Sequence, residues 1–188
     1  MPIDFHDPRN MGTYATRDAT DSWSLAMTSL LDPRNSRVAD IGCGGGIYSI
    51  AWKKLGAASV TGVDFSEQML SAAREHTQQS SDFNFVQGDA TDTGLPQGAF
   101  DVVFERALIH HLKDYTACFA EARRLLRDDG VLLVQDRTPD DVAQPASADH
   151  LRGFFFERFP RLKALEAGRR PDTPTVTSAL RDAGQIGR

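Results

Sequence analysis

The chain has 188 residues, of which 40% are hydrophobic and 25% are charged, and its formal net charge is −5. This length suits one domain with a sizeable core and leaves no room for a second full domain. The charge balance, without a dense basic run, argues against a nucleic-acid groove, and no apolar run approaches the roughly 20 residues of a membrane span.

Cysteine content and the first residues predict the cellular compartment. Cys43 and Cys118 are too few for a disulfide framework, and no His/Cys cluster lies near them in the sequence to bind a metal. The polar start, residues 1–6, has no signal-peptide pattern. We therefore expect a soluble, cytoplasmic protein without a metal site.

The first predicted element is an amphipathic helix ahead of the main fold. Asp21 is a possible cap for it, and Pro33 ends the pattern. The apolar residues that recur at helical spacing are Trp23, Ala26, Met27, Leu30 and Leu31.

The next element is an apolar strand, Arg37 to Ile41, which leads into a glycine-rich turn. Glycines at a strand-to-helix junction let the backbone approach a ligand closely, because no Cβ intervenes. A dinucleotide fingerprint needs glycine at its first, third and sixth positions, but the sixth position counted from Gly42 is Ile47. The chain instead has Asp-x-Gly-x-Gly-x-Gly from Asp40 to Gly46. The turn therefore predicts a nucleoside cofactor that is not a dinucleotide.

Short apolar runs predict the other strands, with helical patterns between them. A strand that alternates with helices predicts a doubly wound α/β domain with a mainly parallel sheet and ligands at the carboxyl ends of the strands. A short-chain nicotinamide dehydrogenase has a similar sheet, but none of the three tyrosines is followed four residues later by lysine. The four further strands are Ser59 to Val63, Phe83 to Gln87, Asp101 to Phe104 and Val131 to Gln135.

Two helical patterns follow the later strands. The first runs from Tyr115 to Leu126, with Gly130 as its expected terminator, and the second runs from Thr175 to Gly184. Residues 138–150 hold two prolines and several small polar residues, which predicts a loop.

Acids at two strand ends are the chemical signal that follows the glycines. The second strand ends in Asp64, whose carboxylate can accept hydrogen bonds from both hydroxyls of a ribose. Ser66 is the expected cap of the next helix. Asp89 and Ala90 follow the third strand.

Taken in order, these segments resemble the class I S-adenosylmethionine (SAM) dependent methyltransferases. The matching segments are Asp40 to Gly46, the strand that ends in Asp64, Gly88 to Ala90, and Phe100 to Leu112 with its His-His-hydrophobic triplet. The last of these is similar to the small-molecule branch related to ubiquinone and menaquinone biosynthesis methyltransferases, the methyltransferase type 11 domain. The resemblance covers about residues 36–136.

The resemblance implies a Rossmann-like methyltransferase fold, SAM as cofactor and S-adenosyl-L-homocysteine as product. The implied reaction moves a methyl group by in-line displacement to an O, N or C nucleophile of a small molecule. A SAM-binding protein that is catalytically inactive and acts as a regulator or scaffold is the alternative. Nothing resembles the Asn/Asp-Pro-Pro-Tyr segment of methyltransferases that act on nucleic-acid bases, so the expected partner is a small-molecule acceptor.

The resemblance also implies a set of site residues. Asp64 would hold the ribose and Asp89 the adenine amine, although Asp89 can equally cap a turn. Met69 either contacts the adenine or lies in the core, and Arg17 either pairs with the methionine carboxylate or is solvated. The cofactor-binding candidates are Asp40, Gly42, Cys43, Gly44, Gly46, Asp64, Phe65, Met69, Asp89, Ala90, Glu105, Arg106, Arg17 and Tyr14.

His110 and His111 are the candidate catalytic residues. A histidine at this position can take a proton from an oxygen or nitrogen nucleophile, because it is partly neutral near physiological pH. Its alternative role is to bind a backbone carbonyl or orient a loop.

The expected organisation is an N-terminal helical cap (1–35), a SAM-binding α/β core (36–136) and a substrate-side helical segment with the last helix (137–188). In the last segment, an aromatic stretch from Leu151 to Leu165 forms a wall of the acceptor pocket or packs on the exposed sheet. The resembled fold has two more strands than the five predicted here. We therefore expect a truncated form, or a homodimer or other partner that covers the edge strand Val131 to Gln135.

Overall fold

A computed structural model of the protein describes residues 18–148 and 150–185, so Tyr14 and Arg17 lie outside the described residues. Five strands form one sheet in the order β3-β2-β1-β4-β5, and every neighbouring pair is parallel. The predicted five-stranded, doubly wound α/β sheet is confirmed. The strands are β1 (Arg37–Ile41), β2 (Ser59–Asp64), β3 (Phe83–Gln87), β4 (Phe100–Arg106) and β5 (Leu126–Gln135).

Helices connect the strands and follow β5. They are α1 (Asp21–Leu30), α2 (Ile47–Lys54), α3 (Glu67–His76), a 3-10 turn (Ile109–His111), α4 (Tyr115–Leu125), α5 (Pro139–Ala143), α6 (Leu151–Arg158), α7 (Pro160–Gly168) and α8 (Thr173–Asp182). Within the described part of the chain, no helix has the length and apolar character needed to cross a membrane.

The sheet has a core on each face because successive strand side chains point in opposite directions. On one face, Val38 and Val60 pack with Trp23 of α1 and Trp52 of α2. On the other face, the next strand residues pack with Leu125 of α4 and its neighbours. The sheet is therefore covered on both faces, which leaves the carboxyl ends of the strands as the place for a ligand.

Helix caps explain where several helices begin. Ser66 caps α3, as predicted, by accepting a hydrogen bond from the amide of Met69. In α1 the cap is Thr20 rather than Asp21, which is the first helical residue. The predicted loop 138–150 contains α5, because Thr138 and Asp141 form a capping box around Pro139.

The region of Gly130 and the aromatic stretch differ from the predictions. Gly130 lies within β5, because the chain enters that strand directly after Leu125 and pairs Leu126 with Phe100. The aromatic stretch forms two helices that meet at Phe159 and Pro160, since proline suits the first turn of a helix but not its interior.

Most large apolar side chains of α6 and α7 remain exposed. Phe156 is buried, whereas Phe154, Phe155 and Phe159 are about half exposed. The rings of Phe155 and Phe159 contact each other, with centroids 4.8 Å apart. Helix α7 packs against α5 and α6. Packing on the sheet therefore does not account for these phenylalanines.

Strand β5 pairs only with β4 among the strands of the described residues. Helix α8 packs against α4 and lies beyond the open edge of β5. A groove of about 610 Å³ runs between them, with Val131 and Leu133 on the strand side and Val176 and Leu180 on the helix side. Among the residues that the structure describes, the predicted apolar edge is thus confirmed as an unpaired strand edge beside an open groove.

Candidate active site

The glycine turn between β1 and α2 depends on three left-handed residues. Gly42, Gly44 and Gly46 have φ angles of 73°, 52° and 79°, a region that L-residues with a side chain adopt only at a cost of about 1–2 kcal/mol. The amides of Gly42 and Cys43 both donate to the carbonyl oxygen of Val63, at 2.8 and 3.0 Å. The turn is therefore attached to the end of β2.

Open space lies beside Gly44, whereas the other two left-handed glycines are enclosed. A Cβ added to Gly42 would lie 3.0 Å from Leu108, and one added to Gly46 would lie 3.1 Å from Ala73. A Cβ added to Gly44 would have no atom of residues 18–148 or 150–185 within 4 Å. The backbone of Gly44 is thus the part of the turn that a ligand can approach.

Asp64 joins this turn to the end of β2. Its Oδ2 accepts a hydrogen bond from the Gly44 amide and its Oδ1 accepts one from the Ser66 amide, both at 2.9 Å. These bonds fix the orientation of the carboxylate at the carboxyl end of the strand. Phe65, the next residue, has a half-exposed side chain.

Asp40 is a buried acid beneath the glycine turn. It is 2% exposed, and the hydroxyl of Ser49 donates to its Oδ2 at 2.6 Å. Burial raises the pKa of Asp40 to about 7; the charge of Asp64 contributes to the rise, while the Ser49 bond and the charge of Arg106 oppose it. Near neutral pH this carboxyl is therefore partly protonated.

Asp89 and Ala90 follow β3 at the same edge of the sheet. Asp89 is exposed and its Oδ1 caps the turn by accepting hydrogen bonds from the amide and hydroxyl of Thr91. These two bonds lower the pKa of Asp89, so the carboxylate is charged. Its Oδ2 accepts no hydrogen bond within the described residues. Asp89 thus caps a turn and still presents one oxygen to a ligand.

Two other cofactor candidates are buried. Met69 is 3% exposed on α3, which fits its core alternative. Cys43 is 8% exposed, and burial raises the pKa of its thiol well above the usual value. The thiol of Cys43 is therefore neutral, and its backbone amide is the group that holds the turn.

Glu105 lies on β4 with its carboxyl inside the protein. It is 1% exposed; the Cys118 thiol of α4 donates to its Oε1 at 3.5 Å, and its Oε2 has no partner in the described structure. Burial raises the pKa of Glu105 to about 7, against the opposing hydrogen bond from Cys118.

Arg106 ends β4 on the opposite side of the strand. Its guanidinium lies over the ring of Tyr48, with the carbon atom 4.2 Å from the ring centroid, and its buried Nε has no hydrogen-bond partner in the described residues. Ala107 then adopts a left-handed φ of 52°, and its amide donates to the Gln135 carbonyl. This strained residue redirects the chain from β4 toward the histidines.

His110 is held by an acid that the sequence analysis missed. Its Nδ1 lies 2.7 Å from Oδ2 of Asp136, the residue directly after β5, and its amide donates to the same carboxylate at 3.3 Å. Arg170 binds Asp136 through Nη1 at 2.9 Å and Glu166 through Nη2 at 2.7 Å. Although burial raises the pKa of Asp136, the bond and charge of His110 lower it overall.

The geometry assigns the donor and acceptor nitrogens of His110. Because Nδ1 faces a carboxylate, it carries the proton, and Nε2 is the nitrogen that can accept one when the ring is neutral. The ring of His111 lies with its centroid 4.0 Å from that of His110. Partial burial, His110 and Arg169 lower the pKa of His111 to about 4, so this ring is neutral.

A sequence signal was available for Asp136, but none was available for Arg170, with which it forms an ion pair. Asp136 directly follows β5, and Asp64 is the last residue of β2, so an acid at this edge could have been suspected. Arg170 lies 34 residues further along the chain and reaches Asp136 only through the placement of α7.

The strand ends offer the groups that SAM requires. The open backbone at Gly44 allows close approach, the Oδ2 of Asp89 can accept from an amine, and Arg106 supplies a cation without an ion pair in the described part of the chain. Among those residues, no group of three or more His, Cys, Asp or Glu is arranged to hold a metal ion. The residues present therefore fit the cofactor.

Replacing Glu105 by glutamine should change how stability depends on pH. Because the folded-state pKa of Glu105 is raised to about 7, its ionisation destabilises the fold as pH rises from about 4.5 to 7. E105Q removes that cost and should exceed the wild type in free energy of unfolding at pH 8 by up to about 3 kcal/mol, with little difference at pH 4.5. Urea denaturation at both pH values measures this.

The exposed residue Glu157 provides the control, because E157Q should match the wild type at both pH values. Equal stability differences for E105Q at pH 4.5 and pH 8 would contradict the raised pKa, because they would mean that Glu105 ionises at the same pH in the folded and unfolded states.

Comparison with known proteins agrees with this geometry. Residues 39–134, just over half of the chain, match the family model described as a methyltransferase domain. The ubiquinone biosynthesis O-methyltransferase of Xanthomonas oryzae pv. oryzae is 34% identical over 117 residues, 60% of this chain and 48% of that protein. The demethylmenaquinone methyltransferase of Staphylococcus carnosus is 34% identical over 107 residues, 56% of this chain and 44% of that protein.

A solved structure shows the same fold. The S-adenosylmethionine dependent methyltransferase from Mesorhizobium loti aligns with a TM-score of 0.67 at 21% identity, over 88% of this chain and 81% of that one. The chain spans about half the length of the curated relatives that it matches. Because the family model matches just over half of its residues, the chain belongs to the methyltransferase domain family. It is a class I member that uses SAM as cofactor, and it is similar to ubiquinone and menaquinone biosynthesis methyltransferases.

Proposed function

We propose that the protein transfers the methyl group of SAM to an O, N or C nucleophile of a small molecule by in-line displacement. The observation that supports this most directly is the placement of the glycine turn, Asp64, Asp89 and the His110–Asp136 pair at one edge of the sheet. A reaction that holds two partners in line gains its rate mainly from proximity and orientation, a contribution of about 7–11 kcal/mol in favourable cases.

The cofactor half of the proposed site binds and orients. In this proposal the Gly44 backbone accommodates the amino-acid end, Asp64 accepts from the ribose hydroxyls and Asp89 accepts from the adenine amine. Arg106 is available to a carboxylate, because its Nε has no hydrogen-bond partner and its guanidinium forms no ion pair among the described residues, although its charge acts on Asp40. When bound, SAM supplies an activated methyl group on a positively charged sulfur.

The acceptor half moves a proton when the nucleophile is an oxygen or nitrogen. Asp136 holds the proton of His110 at Nδ1, which directs Nε2 to accept the proton that the nucleophile loses. Arg170 and Glu166 keep Asp136 in place through ion pairs. A carbon nucleophile would need the same orientation of the acceptor. No observation favours the catalytically inactive alternative.

Removing the carboxylate of Asp64 should weaken SAM binding. Loss of hydrogen bonds to a charged group costs about 1.5–3 kcal/mol each, so we expect D64A to reduce affinity about a hundredfold in calorimetry. D64N keeps one acceptor and should lose less. D129A, at an exposed acid of β5, should bind SAM as the wild type does. Undiminished affinity in folded D64A would contradict the assigned ribose contact.

Removing the imidazole of His110 should slow methyl transfer without weakening the binding of SAM. General acid–base catalysis contributes about 10²–10⁴-fold, so H110Q should lower kcat at least about a hundredfold with an O or N acceptor. D136N should also lower kcat, because the Nδ1 proton loses its charged partner. S-adenosylhomocysteine formation with an acceptor panel measures turnover, and calorimetry measures SAM affinity.

H150Q is the matched control, since the ring of His150 hydrogen-bonds the Pro145 carbonyl, away from the site, and the residue's other bonds in the described structure are made by its backbone. If H110Q retained the wild-type kcat, His110 would serve to orient the loop rather than to transfer a proton.

We also propose that a second copy or another partner pairs with the open edge of β5. This strand has one strand neighbour in the described structure and an apolar groove on its other side. Size-exclusion chromatography with light scattering should therefore show a dimer or a complex with the partner. A stable, well-behaved monomer would count against edge pairing.

A further inference from the structure

Five arginines converge near the carboxyl ends of β4 and β5. Arg106 ends β4 and Arg137 lies two residues after β5, while the others come from α6 and the end of α7. The five side chains are Arg106, Arg137, Arg152, Arg169 and Arg170. The chain as a whole has a net charge of −5, so this local concentration of positive charge is not a general property of its surface.

Two carboxylates serve as counter-ions for this cluster. Asp136 pairs with Arg170 at 2.9 Å and also binds His110. Glu166 pairs with Arg170 at 2.7 Å, with Arg169, and more distantly with Arg152 at 3.9 Å. The cluster therefore holds more positive than negative side chains.

Arg137 has no ion pair or hydrogen bond from its side chain within residues 18–148 and 150–185. Partial burial and the charges of Arg152, Arg170 and Arg106 lower its pKa, although Glu166 opposes this. Arg137 is exposed, so its guanidinium is accessible to an anion from solvent, and the neighbouring guanidinium groups favour negative charge at this place. Arg170 adds a buried Nε that also has no partner in that part of the chain.

The arginine cluster adjoins the proposed catalytic groups. Arg170 and His110 bind the same carboxylate of Asp136. The charges of Arg169 and Arg170 also act on His111. An anion bound by the cluster would thus lie beside the groups proposed to receive the acceptor.

We propose that the methyl acceptor carries an anionic group, a carboxylate or a phosphate, which binds Arg137 together with Arg152. The guanidinium fork matches the two oxygens of either group and forms paired, charge-assisted hydrogen bonds with them. This inference rests on the proposed function, because it identifies the class of acceptor for that site.

Binding of simple anions to the full chain loaded with S-adenosylhomocysteine tests the proposal without any turnover. The probes are inorganic phosphate, benzoate and the neutral benzamide, each titrated by calorimetry. At least one anion should bind about tenfold more tightly than benzamide. R137Q and R152Q should each weaken that anion about fivefold or more, while R123Q, at an exposed arginine of α4, should leave it unchanged.

Each outcome decides the proposal. Preference for phosphate identifies a phosphoryl acceptor, and preference for benzoate identifies a carboxylate acceptor. The proposal is overturned if neither anion binds better than benzamide, or if both R137Q and R152Q bind the anion as the wild type does. Anion binding without methyl transfer would count against the proposed function alone, whereas transfer without anion preference would overturn this inference alone.

Discussion

The attachment of the glycine turn to the end of β2 is the constraint on which the candidate site depends. The Val63 carbonyl accepts two amide hydrogen bonds from the turn, and the carboxylate of Asp64 accepts a third from Gly44. Leu108 contacts the same turn at Gly42 from the loop after β4. Groups from three strand ends are therefore fixed relative to one another before any ligand binds, so less conformational entropy remains to be lost on binding.

The two halves of the site are built from different interactions. The cofactor half uses main-chain hydrogen bonds and left-handed glycines, which depend on local sequence. The half near His110 uses a chain of hydrogen-bonded side chains with little exposure, from His110 through the charged residues Asp136 and Arg170 to Glu166. Such a chain is costly to bury unless every member is paired, so loss of one member affects the positions of the others.

The sequence predicted the cofactor half of the site better than the half near His110, because the interactions of the cofactor half depend on local sequence. Strands β1 and β3 were predicted with the bounds that the structure gives, because apolar runs and turn residues are local signals. The start of β5 was missed because pairing with β4 at Phe100 overrides the usual role of Gly130 as a helix terminator. The Asp136–Arg170 pair joins residues from separate elements, and no spacing rule links them.

Trp23, Tyr48 and Trp52 form an aromatic cluster beneath Arg106, so intrinsic fluorescence can report on the structure around it. The chain has two tryptophans, and both lie in this cluster, with the rings of Trp23 and Trp52 5.3 Å apart. Trp23 also contacts Tyr48, over which Arg106 lies, and donates from its indole nitrogen to the side chain of Gln135 at the end of β5. Intrinsic fluorescence therefore monitors α1, the end of β4 and the end of β5 at once, without any attached dye.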